Sequence, residues 1–194
     1  MEKKFTKYLF LFLYCMLPFL IFSGCVDFEQ NTIFNKDGSG SMHIHYWSKE
    51  ANVKSTEKLL DYGFNEKIAT KNLSSINSKV SKITIEYKPE DSTRHVWAEL
   101  NFEKIANIRF ARSFKDIKAE WNEESDSYEF IYNITEVDYE NKYEKESYIA
   151  NYSFEMPGKV ISSNATRVEG KTCYWDLKLS DINNGYVLTA KVSK

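Results

Sequence analysis

The sequence predicts an α+β fold: a single domain on a twisted, mainly antiparallel sheet of about eight strands, with two short helices inserted after the first hairpin. Three observations carry this. Aromatic residues make up 15% of the chain, while only 3 of its 194 residues are proline. Many short stretches alternate apolar and polar residues with period two, as half-buried strands do. The period changes between Ser55 and Lys71, where the apolar residues take helical spacing.

The elements follow in order. Strands are expected over Asp27–Phe34 and Ser41–Ser48, joined by Asn35-Lys36-Asp37-Gly38-Ser39-Gly40. Asp-Gly is a hairpin signal because glycine accepts positive φ without steric cost. Ser55–Tyr62 reads as a helix with Leu59 and Leu60 on one side and Gly63 as its C-cap; Asn65 caps a second, carrying Ile68 and Ala69. Strands resume at Lys82–Tyr87 and Arg94–Phe102, with Pro89-Glu90-Asp91-Ser92 as the turn between them and one helical turn over Glu103–Asn107. A second hairpin pairs Lys115–Trp121 with Tyr128–Ile134. The charged run Asp138–Glu146 is a solvated edge or loop, and strands close the chain at Tyr148–Met156, Thr172–Leu179 and Tyr186–Val192. Met42, Ile44, Tyr46, Val96, Ala98 and Leu100 form the expected core set, covered by the helices.

The N-terminus carries an address. MEKKFTK has three lysines against one glutamate, and fifteen uncharged residues follow from Tyr8 to Phe22. That run is shorter than the ~20 residues a membrane-spanning helix needs, and suits a signal-peptide core. Ser23 and Gly24 are small, and Cys25 follows. The arrangement resembles a bacterial lipoprotein signal peptide ending in a lipobox, with Phe22 where leucine is usual. It implies residues 1–24 removed, residues 25–194 as the envelope domain, and acyl chains such as palmitate on Cys25. Two chains give stable membrane anchoring. Strand-like sequence begins at once after Cys25, without a Gly/Ser tether, so the domain is expected to hug the membrane.

Removing residues 1–24, which carry Lys3, Lys4, Lys7 and Glu2, leaves 170 residues with a net charge of −4. The charges are interspersed without a basic block, which argues against a nucleic-acid partner. Cysteine usage excludes a disulfide framework: Cys15 lies in the signal, Cys25 is the lipidation site, and Cys173 is left alone on the apolar face of Thr172–Leu179. There it reads as a buried thiol rather than a nucleophile.

Four features in order resemble the LppM-type lipoprotein domain. They are Asp37-Gly38-Ser39-Gly40 after the first strand; the Leu59–Gly63–Phe64 region; Leu100-Asn101-Phe102-Glu103; and Met156-Pro157-Gly158-Lys159-Val160 running on through Ser163-Asn164-Ala165 to Gly170 and Trp175. The resemblance implies a non-catalytic envelope domain with a mixed α/β fold likened to lipid-binding proteins. It carries over no catalytic residue. The chain departs from members with a transmembrane segment near the C-terminus, since it stops at Lys194 after the last expected strand.

Asn35 to Gly40 spaces oxygen donors as a calcium loop does, but Tyr46 stands where a bidentate glutamate is needed, and strand patterns flank it. It reads as a turn. His43, His45 and Trp47 project from one face of their strand, as do His95, Trp97 and Glu99 from theirs. If the strands are neighbours, the six build an amphipathic aromatic face opposite the core set, the candidate binding face for a lipid, a glycolipid or an envelope protein. No metal and no cofactor is expected. Glu123, Glu124 and Asp126, and Glu136, Asp138, Glu140, Glu144 and Glu146, lie in polar runs without the apolar pocket that tunes a general acid. No Gly-x-Ser-x-Gly, phosphate loop, His-Glu-x-x-His or dinucleotide fingerprint is present. Asn72, Asn133, Asn151 and Asn164 open glycosylation sequons that carry no meaning behind a bacterial signal.

The expected function is therefore that of a lipid-anchored, non-catalytic envelope protein, in the outer rather than the inner membrane where there are two, since Val26 and not aspartate follows Cys25. The alternatives are an envelope hydrolase acting on glycan or peptide, and a structural accessory subunit of a membrane complex.

Overall fold

The computed structural model describes residues 26–54, 57, 61–135, 149–182 and 185–194. Cys25 and the segment before it, most of the expected helix Ser55–Tyr62 with Leu59 and Leu60, and the run Asp138–Glu146 lie outside the described residues.

The first hairpin forms as its turn chemistry dictates. β1 (Val26–Phe34) and β2 (Gly40–Lys49) pair antiparallel from Phe34 opposite Gly40 to Val26 opposite Ser48. Asp37 Oδ1 accepts from the Ser39 amide at 3.0 Å and the Ser39 hydroxyl at 2.6 Å. Gly38 holds φ at 77°, while a Cβ on Gly40 would lie 2.1 Å from the Ile33 carbonyl oxygen. One glycine is needed for its conformation, the other for close approach.

Two sheets follow. The larger has seven strands in the order β3-β4-β2-β1-β7-β10-β9, adding β3 (Ser78–Lys88), β4 (Thr93–Phe102), β7 (Ile149–Glu155), β9 (Arg167–Glu169) and β10 (Thr172–Lys178). The smaller has the order β5-β6-β11-β8, from β5 (Ile117–Glu123), β6 (Ser127–Ile134), β8 (Val160–Ser163) and β11 (Tyr186–Ser193). Among the described residues, eleven strands in two sheets replace the expected single sheet of about eight. β8 and β9 are four and three residues long and bury no alternating apolar set, so no periodicity betrays them. The larger sheet is mixed, because β1 pairs in parallel with β7, Phe28 opposite Ala150. Local pattern does not encode that distant pairing.

The helices also differ from expectation. α1 (Glu66–Leu73) forms with Asn65 as its cap, the side chain accepting from the Ile68 amide at 3.0 Å. Ala69 and Leu73 are buried, but Ile68, one step round the helix, is partly exposed. The left-handed residue before α1 is Asp61, at φ 55°, rather than Gly63. Gly63 serves close packing, since a Cβ there would meet the Ala69 nitrogen at 2.3 Å. α2 (Leu179–Ile182) is a further short helix after β10, where none was expected. The turn expected over Glu103–Asn107 is a 3₁₀ turn over Ile105–Phe110, shifted so that Ile105 and Ile108 bury.

Every member of the expected core set on β2 and β4 is buried. The segment leading into α1 packs on the β2 part of the larger sheet's inner face. Phe64 meets Tyr46 edge-on at 5.3 Å, and the Tyr46 hydroxyl donates to the Gly63 carbonyl. The smaller sheet covers the β1–β7 half: Phe130 packs against Phe34 at 5.0 Å and Phe154 at 5.1 Å, and the Tyr132 hydroxyl donates to Gln30 Oε1 at 3.3 Å. Cys173 is fully buried within the same core, and burial pushes its thiol above its ordinary range.

Candidate functional site

The face of β2 and β4 that points away from this core is set by strand parity and register. With Met42, Ile44 and Tyr46 inward, His43, His45 and Trp47 turn outward. β4 lies directly beside β2, so that His43 stands opposite Glu99, His45 opposite Trp97 and Trp47 opposite His95. The six residues singled out by sequence therefore lie on two adjacent strands as three cross-strand pairs.

Four of them stack. The His45 ring lies 4.5 Å from Trp47 and 4.6 Å from Trp97, the latter pair within 8° of parallel. His95 lies 5.4 Å from each tryptophan, at 10° and 15°. Such ring pairs are worth about 0.5–1.5 kcal/mol each beyond their burial. The stacking alters one expectation: His95 is not exposed but only 5% accessible, because the rings cover it, while His45, Trp47 and Trp97 are half-buried and His43 is exposed. Glu99 is partly exposed and pairs with Lys82 at 3.5 Å, and the Lys88 ammonium lies 5.8 Å over Trp97. A groove of about 350 Å³ runs beside Trp97, lined by Lys82, Thr84, Glu86 and Glu99.

The histidines belong to a chain of hydrogen bonds that the sequence did not reveal. Glu29 Oε2 lies 3.1 Å from His45 Nδ1; His45 Nε2 lies 3.0 Å from His95 Nδ1; His95 Nε2 lies 2.8 Å from Thr93 Oγ1. Thr93 in turn donates to Asp91 Oδ1 at 2.5 Å. Burial, with the nearby charges of Lys88 and His45, holds the His95 imidazole below its ordinary range. The signal that could have found Glu29 is the alternation of Asp27, Glu29 and Asn31 on the outer face of β1.

The carboxylates considered for hydrolysis are engaged elsewhere. Glu123 pairs with Lys194 at 2.8 Å, and Glu124 with Lys191 at 2.6 Å and the Ser127 hydroxyl at 2.8 Å. Glu136, Asp138, Glu140, Glu144 and Glu146 lie outside the described residues. Among the described residues no three metal-ligating side chains converge, and no helix is long and apolar enough to cross a membrane.

The class the fold defines is a mixed seven-stranded sheet with a four-stranded sheet and a short helix on one face and, among the described residues, no element over the other. That fold is similar to the folded domain of LppM from Mycobacterium tuberculosis, with a TM-score of 0.53 over 89% of this chain and 92% of that one, at 13% identity. A match to the M1 zinc metallopeptidase of Deinococcus radiodurans covers 88% of this chain and 41% of the other at 10% identity, and its TM-score of 0.29 carries no argument. No protein-family model and no curated protein matches the sequence.

Proposed function

We propose that this chain is a lipid-anchored, non-catalytic lipoprotein of the bacterial cell envelope that captures an amphiphile or another envelope component on the outer face of β2 and β4. One observation carries the reading: two tryptophans and two histidines stack on a sheet face whose other members are polar. Half-buried indole faces beside charged and hydroxyl groups suit a ligand with both apolar and polar parts. The LppM-like fold supports an envelope setting.

The register also supports a place at the membrane. β1 begins at Val26, directly after Cys25, and Asp27 stands opposite Trp47. At ~3.3 Å per residue, Val26, the residue after the lipidation site, lies one step along the strand from the rung that holds Trp47. Val26 follows the cysteine where an aspartate would hold some lipoproteins in the inner membrane, which supports the outer membrane in a two-membrane host.

Two measurements test this. Mass spectrometry of the membrane fraction should find an N-terminus at a modified Cys25; a soluble chain, or one retaining Met1, would exclude the anchor. Organic extraction of the purified full chain should recover an amphiphile, or its gel a partner, that W47A/W97A loses. Equal recovery from both proteins would exclude the face.

A further inference from the structure

The chain from Glu29 to Asp91 comprises four contacts, and each needs one hydrogen. Thr93 has one hydroxyl hydrogen, and each neutral imidazole has one N–H. With both histidines neutral, three hydrogens serve four contacts, and two acceptors are left facing each other at one link. With both histidines charged, His45 Nε2–H and His95 Nδ1–H collide across 3.0 Å. Only the state with one added proton fills every link.

We propose that the His45–His95 pair is a one-proton switch on the outer face: it binds a single proton that closes the hydrogen-bond chain from Glu29 to Asp91, and loss of that proton opens it. One added proton fills every link on either ring; it is assigned to His45, whose Nδ1 lies 3.1 Å from the Glu29 carboxylate and whose ring lies nearer both indoles, at 4.5 and 4.6 Å against 5.4 Å for His95. Thr93 then donates to Asp91, His95 donates from Nε2 to Thr93 and accepts at Nδ1, and His45 donates from Nε2 to His95 and from Nδ1 to Glu29. The low proton affinity of buried His95 agrees with this, since that ring stays neutral.

The surrounding charges do not upset the count. The outer face carries Asp27 and Glu29 on β1, His43 and Lys49 on β2, Glu86 and Lys88 on β3, and Glu99 on β4. Lys49 donates to the Asp91 carbonyl, and Glu99 faces Lys82. The closed form ties β1, β2, β4 and the β3–β4 turn together across the ring stack. As pH rises the proton leaves, the weakest link opens, and the stack loses its fixed geometry. The consequence for ligand capture rests on the binding-face reading above, but the switch itself is measured without ligand. Its failure would leave that reading standing, and failure to capture ligand would leave the switch standing.

The test is a titration of imidazole ¹⁵N shifts in the full chain, which has only three histidines, with exposed His43 as the internal control. In the protonated form, His45 should show two protonated nitrogens and His95 a neutral ring with hydrogen on Nε2. The pair should release one proton in one step. Thr93→Val removes the hydroxyl two links from His45 and with it the need for the extra proton, so the pair's proton affinity should fall at least about tenfold, one pH unit. Thr93→Ser should restore it. Glu29→Gln should lower it from the other end, because an amide supplies its own hydrogen. A wild-type midpoint in T93V beside a shifted one in E29Q would reduce the site to a plain ion pair and overturn the proposal. So would a His95 hydrogen on Nδ1 in the wild-type closed form, which needs no variant to fold.

Discussion

His45 and Trp97 are direct cross-strand partners whose rings lie 4.6 Å apart and 8° from parallel. Trp97 is thus held from the side by its neighbours, not swallowed by the core, whereas Trp175 is fully buried. Substitution should separate the two. Trp97→Ala should cost about 1–2 kcal/mol, the loss of a half-buried stack, and Trp175→Ala about 3–5 kcal/mol, the loss of a core indole. Chemical denaturation of both variants measures this; equal costs would mean that Trp97 is a core residue.

A second prediction concerns the contact between the sheets. Asn164 Oδ1 accepts from Trp175 Nε1 on β10 at 3.0 Å and from the Thr189 amide on β11 at 2.9 Å, while its Nδ2 donates to the Val187 carbonyl at 2.6 Å. Asn164→Ala leaves three groups without this partner and should destabilise by about 2–4 kcal/mol. Trp175→Phe removes one of the same bonds, so the double variant should cost less than the two singles together. Strict additivity in denaturant would show that the bond is not coupled.

A third concerns acid. Asp61 sits in the left-handed region, its carboxylate nearly buried, bonded to Arg112 Nε at 2.7 Å and to Lys115. Burial alone would raise its proton affinity; the bonds and charges of Lys115 and Arg112 outweigh it and hold the group below its ordinary value of 3.8. A carboxyl depressed in the folded state contributes stability above its unfolded value and loses it as pH falls through the folded one. Asp61→Asn should therefore cost about 2 kcal/mol at pH 7. The gap to wild type should close below about pH 4. Thermal midpoints over that range check it, and a gap independent of pH would contradict it.

Much of this was legible in the sequence, and the reasons differ by element. The alternation of Met42, Ile44 and Tyr46 against His43, His45 and Trp47 fixed both faces of β2, and the Asp37-Gly38 turn fixed its partner. Asn65 announced α1 through its cap. The second sheet stayed hidden because Phe130 and Phe154 meet only in three dimensions, and the parallel β1–β7 pair because register across distant strands leaves no local trace. The six face residues were readable as two rows. Their union with Glu29, Thr93 and Asp91 was not, since three strands and a turn contribute to one chain of hydrogen bonds. The burial of His95 was not legible either, because sequence shows which way a ring points, not what its neighbours cover.

The central claim is that the outer face of β2 and β4 is occupied in the envelope, and site-specific photo-crosslinking tests it most directly. A benzophenone side chain placed at Trp47 in the full chain, irradiated in living cells, should give a discrete adduct with an envelope amphiphile or protein. The same probe at partly exposed Val187, on the smaller sheet, should not. No adduct at Trp47, or the same adducts from both positions, would contradict the account.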